Sequence, residues 1–475
     1  MSLLQHQLPY HHDSSLLFER IEKDDWAIFL DSGQAVNVAT GNAGSQYGRY
    51  DILVAEPFIT VVTEGQKTTV MQDGVETVSE EDPFFIIKQL LLQYPAPKTS
   101  LPFAGGLLGY FAYDLARRIE ILPTIAATAT EIPQMMLGLY DWAVVVDHRE
   151  KRSMLVSHGL TTATKANWQA ICKKFDDLNG VNIGDNIETP FEVTSQIHFN
   201  LTESQYHQAF AKIKAYISAG DCYQVNLAQR FAAEVQGDSW QAYQKLREIS
   251  PAPFMAYMNL PLNAAENFQI LSNSPERFLQ TDGNHVETRP IKGTRPRSAD
   301  PIQDLTYSNE LLTSLKDKAE NVMIVDLLRN DIGKNCTIGS VKAEKLFQLQ
   351  SFANVHHLVS TVTGKLKQTA TAIDLLKGCF PGGSITGAPK LRAMQIIEEL
   401  EPHQRGLYCG AIGYIGFDGK MDTNIAIRTA VICKNQLSFY AGGGIVADSD
   451  ASKEYAETLD KASNLITIIQ FFMRQ

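Results

Sequence analysis

The segment Glu287-Thr-Arg-Pro-Ile-Lys-Gly-Thr-Arg-Pro-Arg297 concentrates four cations and two prolines in one short stretch. Within it, Lys292 stands between Ile291 and Gly293. An apolar, tight setting of that kind desolvates an amine and lowers its pKa toward nucleophilicity. Glu276, in Ser274-Pro-Glu-Arg-Phe278, lies sixteen residues upstream, after the strand-like run Phe268-Gln-Ile-Leu-Ser272. A hairpin would return it to the lysine, and an amine beside a carboxyl acid is a coherent pair for nucleophilic and acid–base work. Taken alone, the same segment also reads as a structural turn with a solvated lysine.

Two acidic pairs add to this. Asp317 and Glu320 are i, i+3 neighbours, and so are Glu454 and Glu457. Such pairs are commonly solvated or bonded to a nearby Lys. Facing each other, they would make an oxygen-rich site for Mg2+, with water completing the octahedron. Ala441-Gly-Gly-Gly-Ile445 would either expose successive N–H groups as a carboxylate nest or simply connect a strand to a helix. Arg428 sits in the apolar run 423–432, where a buried guanidinium needs an anion. Lys461 lies one turn beyond Glu457. A nucleophilic amine, a carboxyl acid, a divalent metal and several carboxylate receptors suit a small polycarboxylate that loses a poor leaving group.

The elements that must position these groups are partly visible. Residues 202–219 have helical spacing, a capping-box start at Thr202 and Gln205, and Gly220 as a C-cap. A long helix is expected over 308–328. An amphipathic helix over 452–472 carries Tyr455, Leu459, Ala462, Ile466 and Ile469 on one face. Runs at 410–417, 423–432 and 437–441 read as successive strands, as do 50–55, 58–63 and 140–146 nearer the start. Helices and strands mix without β-α-β alternation, which predicts an α+β fold of large, mostly antiparallel β-sheets flanked by helices. The polar piece 176–198 is expected to link an N-terminal region, 1–175, to a C-terminal catalytic domain, 199–475.

Composition bounds the function. Lys plus Arg is 42 and Asp plus Glu is 53, a formal net charge of −11. That balance argues against non-specific binding to nucleic acid or anionic membranes, but not against a small anionic substrate. No stretch approaches the ~18–20 apolar residues of a membrane span, and the start lacks a signal-peptide pattern. Six scattered cysteines without a C-x-x-C pair read as reduced thiols of a cytoplasmic protein. His6, His11 and His12 are expected to lie in a frayed terminus rather than on a metal.

Several motifs fail on inspection. Gly382-Gly-Ser-Ile-Thr-Gly-Ala-Pro-Lys390 is not a phosphate loop, because Ala388 and Pro389 separate the last glycine from the lysine. Gly105-Gly-Leu-Leu-Gly109 has the wrong spacing for a dinucleotide fingerprint. No serine or cysteine sits in a nucleophile elbow, so the chain has no obvious hydrolase or glutaminase nucleophile.

Long ordered motifs carry a resemblance. Ser274-Pro-Glu-Arg-Phe278, Arg289-Pro-Ile-Lys-Gly-Thr294, Ala319-Glu-Asn-Val-Met-Ile-Val-Asp-Leu-Leu-Arg-Asn-Asp331, Val355-His-His-Leu-Val-Ser360, Phe380-Pro-Gly-Gly-Ser-Ile-Thr-Gly-Ala-Pro-Lys390, Asp422-Thr-Asn-Ile-Ala-Ile-Arg428 and Gly442-Gly-Gly-Ile-Val-Ala-Asp448 resemble the chorismate-binding enzymes from about residue 200 onward. Phe103-Ala-Gly-Gly-Leu-Leu-Gly109 and Tyr140-Asp-Trp142 are similar to the N-terminal region of the family's anthranilate and aminodeoxychorismate synthase large components. Within the family, anthranilate synthases usually carry Ala at position 292, and aminodeoxychorismate synthases of this type carry Lys. Isochorismate and salicylate synthases use Lys at position 224 to activate water, and this chain has Gln224. Both positions point to the aminodeoxychorismate branch, with anthranilate synthase as the alternative.

The resemblance implies roles for individual residues. Lys292 attacks C2 of the chorismate ring, Glu276 protonates the departing C4 hydroxyl, and ammonia then adds at C4. Glu320 and Glu457 match metal ligands for Mg2+, with Asp317 and Glu454 behind them. Arg428, Tyr408, Lys461, Gly442, Gly443 and Gly444 match carboxylate-binding positions, Gln224 a substrate position, and His357 the active-site histidine. Ammonia implies a separate glutamine amidotransferase subunit as partner. Ser32, Tyr47, Arg49, Pro253, Phe254 and Met255 sit where relatives hold tryptophan, and they also fit an ordinary polar turn on a core.

Overall fold

The computed structural model describes residues 3–34, 47–176, 189–351 and 355–473. Most of the linker expected at 176–198 therefore lies outside the described residues. Two large sheets, of 13 and 12 strands, are built on antiparallel ladders. Helices cover their outer faces, giving the α+β architecture expected.

Strands from both ends of the chain share each sheet. In the first, Ala27–Asp31 pairs with Phe254–Pro261, from Met255↔Asp31 to Asn259↔Ala27. In the second, Gly106–Phe111 pairs with Ala411–Gly416. Side-chain alternation sorts the faces. In Phe254–Pro261, Ala256, Met258 and Leu260 join a buried cluster with Ile28 and Ile270 of the first sheet and Leu108, Tyr110 and Ile412 of the second. Met255 and Tyr257 point the other way, toward Trp240, Tyr243 and Leu246 of helix Ser239–Ile249 and Leu465 and Ile469 of helix Ala451–Phe472. The second sheet is backed by Phe84, Val325, Ile373 and Leu376 from three further helices.

Some elements match the sequence reading and others depart from it. Helix Glu203–Ala219 begins with the Thr202–Gln205 capping box and ends at Gly220 with φ 84°. The expected helix over 308–328 is instead two, Pro301–Thr313 and Leu315–Gly333. Ser314 interrupts it, its hydroxyl accepting from the Asp317 N–H as an N-cap. The N-terminus is not frayed: Leu4–Leu8 pairs along Arg152–Ser157, and His6 contacts Asp176 at 2.6 Å. All six cysteines are free and buried. No described helix is long and apolar enough to cross a membrane.

A buried ion pair fastens the N-terminal strands to the rest. Arg247 Nε donates to Asp31 Oδ2 at 2.5 Å and Arg247 Nη2 to Asp13 Oδ1 at 3.0 Å, while the Tyr243 hydroxyl donates to Asp31 at 3.2 Å. Asp31 is fully enclosed, so losing the arginine strands its charge. Arg247→Ala is expected to lower unfolding stability by about 3–5 kcal/mol. Urea denaturation followed by tryptophan fluorescence reads this, and a loss under about 1 kcal/mol would show the pair to be dispensable.

Candidate active site

Two chain crossovers between the sheets build the site. After Asn267–Ser274 of the first sheet, the chain passes through Pro275 and Glu276 into Arg277–Thr281 of the second. After Met421–Ile425 of the second, it returns through 426–428 into Thr429–Cys433 of the first. The Ile425 N–H donates to the Glu276 carbonyl at 3.0 Å, and the Asn273 N–H to the Arg428 carbonyl at 3.0 Å. The crossovers therefore run side by side. The single strand expected over 423–432 is broken by this switch of sheet, and Arg428 lies in the break with φ 50°. For a non-glycine residue that backbone is strained.

Lys292 lies on Ile291–Pro296 at the end of the second sheet. Its Nζ is 3.3 Å from Glu320 Oε1 and donates to the Ser384 carbonyl at 3.2 Å. Burial opposes its charge, but Glu320, Glu276 and Glu457 outweigh burial and hold its pKa above the usual lysine value. The lowering expected from Ile291 and Gly293 is thus reversed, by carboxylates that only the tertiary fold brings near. Glu276 is 6 % exposed, and its Oε1 accepts from Ser384 Oγ at 2.9 Å. Burial raises its pKa, with Lys292 and Ser384 offsetting only part of the rise. A carboxyl group that keeps its proton to higher pH is suited to donate it.

Arg428 is the opposite case. Burial lowers its pKa, and Glu276 is the carboxylate that partly offsets this. His357, on Val355–Lys365 beside Ile291–Pro296, hydrogen-bonds through Nδ1 to Thr294 Oγ1 at 2.9 Å. Burial first, then the Arg428 charge, push its pKa down to about 3, so the ring is neutral. Gln224, at the start of Gln224–Gln236, is fully buried, and neither amide atom has a hydrogen-bond partner among the described residues. Tyr408 is buried with its ring stacked on Tyr440 at 5.5 Å and on the Arg405 guanidinium, also at 5.5 Å.

The glycine run is not a nest. Gly442, Gly443 and Gly444 belong to the regular strand Gln436–Ile445, paired to Ala228, Leu227 and Asn226. Their function is space. A methyl group on Gly443 would lie 3.0 Å from Glu454 Oε2 and 3.7 Å from Glu457 Oε1, and one on Gly444 2.3 Å from Gln224 Nε2 and 3.4 Å from Glu320 Oε1. Glu320, Glu454 and Glu457 therefore meet over two adjacent glycines. Asp317 is turned instead to Arg295 at 3.2 Å.

Among the described residues no three His, Cys, Asp or Glu side chains are grouped closely enough to hold a metal ion. Glu457 is held by Lys461 at 2.7 Å, and Lys461 also donates to the Gly442 carbonyl at 3.0 Å. Glu454 accepts from Ser449 Oγ at 2.7 Å. Burial raises the Glu454 pKa, Ser449 offsets part of that, and the charge of Glu457 adds to it. This surplus of negative charge on an all-oxygen donor set fits a hard divalent cation in chemical type.

A separate cavity of ≈ 540 Å³ is lined by Tyr47, Arg49, Pro253, Phe254 and Met255, with Arg277 and Arg289. Lys292 and Glu320 are not among its walls. Ser32 does not line it but donates to Asp51 at 2.6 Å. Arg289 stacks over Tyr47 at 4.5 Å and Arg277 over Phe254 at 4.9 Å.

Sequence reasoning missed Ser384 and the pair Glu401–Arg405. Arg405 is fully buried, donates to Glu401 at 2.7 and 2.9 Å, and also reaches the Ile385 and Asn226 carbonyls at 3.1 Å each. Ser384 lies in the glycine-rich motif 380–390, which the sequence reading takes as a mark of the family without assigning the serine a role.

Comparison with known proteins narrows the chemistry. The family described as chorismate binding enzyme matches residues 41–467. Aminodeoxychorismate synthase component 1 of Salmonella typhimurium is 46% identical over 463 residues, 97% of this chain and 96% of that protein. Anthranilate synthase component 1 of Streptomyces coelicolor is 37% identical over 402 residues, 82% and 78% of the two chains. The crystal structure of anthranilate synthase component I from Streptococcus pneumoniae TIGR4 superposes with a TM-score of 0.77 at 31% identity, covering 89% of this chain and 93% of that one.

The neutral histidine gives a stability test. Its pKa falls from 6.5 unfolded to about 3 folded, so between these values the unfolded chain binds a proton that the native chain does not. Stability therefore rises with pH across that window and is lost as pH falls from about 6.5. In His357→Asn, which can still meet Thr294, the slope of unfolding free energy against pH should be shallower by up to one proton's worth. Urea titrations at pH 4.5, 5.5 and 6.5 measure it, and an unchanged slope would contradict a neutral buried ring.

Proposed function

The chain belongs to the chorismate-binding enzymes, and from that premise we propose that it aminates chorismate with ammonia to 4-amino-4-deoxychorismate, for the 4-aminobenzoate and folate branch. The observation that carries this reading is Lys292, buried between the Glu320 carboxylate and the Ser384 carbonyl, with Glu276 hydrogen-bonded to the same serine. A lysine at this position is what the anthranilate branch usually lacks.

Hydroxide leaves poorly, so the displacement is divided in two. Lys292, once its ammonium has given a proton to water, attacks C2; both ring double bonds shift toward C4, and the C4–O bond breaks. Glu276 gives its proton to that oxygen, which departs as water. Ammonia attacks C4, the double bonds shift back, and the C2–N bond breaks to free the lysine. Glu276 takes the surplus proton from the new amine. Arg428 offers an incompletely compensated guanidinium to a substrate carboxylate, with the Lys461 charge also felt at Glu276 as a further receptor. A Mg2+ ion on Glu320 and Glu457, backed by Glu454, would hold the ring carboxylate and supply the positive charge that now comes from ammonium groups; Asp317, turned to Arg295, stands outside this set. His357, neutral, can orient an oxygen but not neutralise it.

Ammonia is expected from a separate glutamine amidotransferase subunit, since no glutaminase elbow is present. The ≈ 540 Å³ cavity suits tryptophan, whose indole would pack beside Tyr47 and Phe254.

Three outcomes test the reading. With chorismate, Mg2+ and an ammonium salt, the purified chain should form 4-amino-4-deoxychorismate, while glutamine alone should support no turnover; anthranilate with pyruvate as the sole product would overturn the assignment. Lys292→Ala should lose at least about 100-fold in kcat while still binding chorismate. Intact-mass analysis of the unmutated chain given chorismate without ammonia should show an adduct on Lys292, and its absence would point to direct attack at C4.

A further inference from the structure

Ser384 touches both partners of the reacting pair. Its hydroxyl donates to Glu276 Oε1 at 2.9 Å, and its carbonyl accepts from Lys292 Nζ at 3.2 Å. We propose that Ser384 is a positioning residue that fixes which Glu276 oxygen carries the proton and aims the Lys292 amine at the same substrate face. The proposal rests on the amination reading above.

The loop does not need this hydroxyl to hold its shape. Gly387 and Ala388 pair with Val225 and Gln224 of the first sheet. Arg405 Nη1 donates to the Ile385 carbonyl at 3.1 Å, and Thr386 Oγ1 donates to the Gly382 carbonyl at 3.0 Å. Gly383 packs so closely on the helix bearing Glu320 that a methyl group there would fall 2.5 Å from Leu327 Cδ2. Four contacts thus pin the segment without the Ser384 side chain, which is 5 % exposed and directed at Glu276.

The consequence for Glu276 is directional. A carboxyl oxygen that already accepts a hydrogen bond is the poorer place for the acid proton, so the proton resides on Oε2. Without Ser384 the carboxyl keeps only the hydrogen bond from the Ile291 backbone N–H and loses the contact that marks out Oε1. The hydrogen bond also favours the charged carboxylate, so its loss raises the pKa of Glu276 further. The other charges facing Glu276, Lys292, Lys461 and Arg428, are unaffected.

Ser384→Ala and Ser384→Thr, assayed with chorismate and ammonia across pH, decide the matter. The alanine variant should lose about 10- to 100-fold in kcat, the weight of one hydrogen bond to a charged group, with KM for chorismate within about threefold. The alkaline limb of its kcat profile should move to higher pH, and Ser384→Thr should restore both rate and limb. Wild-type kcat in Ser384→Ala, or a rate loss with an unmoved limb and a lowered Tm, would overturn the proposal by showing an idle or merely structural serine. If the alanine variant does not fold, Ser384→Cys, with its weak donor, must show an intermediate loss and a limb moved the same way, or the proposal falls. Failure of the unmutated chain to make 4-amino-4-deoxychorismate would instead remove the amination reading itself.

Discussion

An amine can be buried among carboxylates only if every charge finds an opposite within reach, and the region around Lys292 is organised by that requirement. Lys292 faces Glu320, Glu276 and Glu457. Glu457 faces Lys461, and Asp317 faces Arg295. Glu320 and Asp317 thus hold cations from a strand of the second sheet, while Glu457 holds Lys461 of its own helix, which also bonds to the glycine strand. Removing Glu320 leaves Lys292 uncompensated in a poorly solvated place, a larger penalty than the contact alone suggests, whereas the exposed Glu457–Lys461 pair is screened by water and costs less to break. The balance is also incomplete where a substrate would enter. Arg428 is disfavoured by burial and Glu454 by its acidic neighbour. A dianionic substrate and a divalent cation are complementary to those two deficits.

The sandwich explains why the charges gather where they do. Its interior, filled by residues such as Met258, Ile270, Tyr110 and Ile412, leaves no place for a charge. Where the chain leaves one sheet for the other, the ladders stop and backbone groups need new partners. The crossovers at Glu276 and Arg428 satisfy each other through Ile425 N–H and Asn273 N–H. Their side chains are then set by backbone geometry rather than by a mobile loop, which is the rigidity that a reacting constellation needs.

How much of this was legible in the sequence depended on the range of the interaction. Helix Glu203–Ala219 was readable because its cap and its terminating glycine are local. Lys292 and Glu276 were readable as a pair because a short hairpin separates them. The direction of the Lys292 shift was not, since Glu320 and Glu457 arrive from helices far along the chain. The apolar run 423–432 looked continuous because residues on both sides of the break are strand-like; only the identity of the paired sheet distinguishes Met421–Ile425 from Thr429–Cys433. The glycine run suggested exposed amides, whereas its strand conformation makes it a place where three carboxylates can approach a backbone. Ser384 is not legible as a site residue because its motif marks the family, while its contacts to Glu276 and Lys292 come from segments about 100 residues earlier in the chain.

Gln224 marks the limit set on the reaction. Its amide is enclosed, with neither the oxygen nor the nitrogen paired among the described residues, at a cost of about 1–3 kcal/mol for each unmade hydrogen bond. A lysine in that place could take a proton from water and make it a nucleophile. An amide has no accessible pKa, so it can orient a small polar molecule but cannot ionise one. Gly444 must remain without a side chain for the amide to lie where it does. Beside this inert amide, the amination proposed above assigns the nucleophile to Lys292 on the second sheet rather than to a water held on the first.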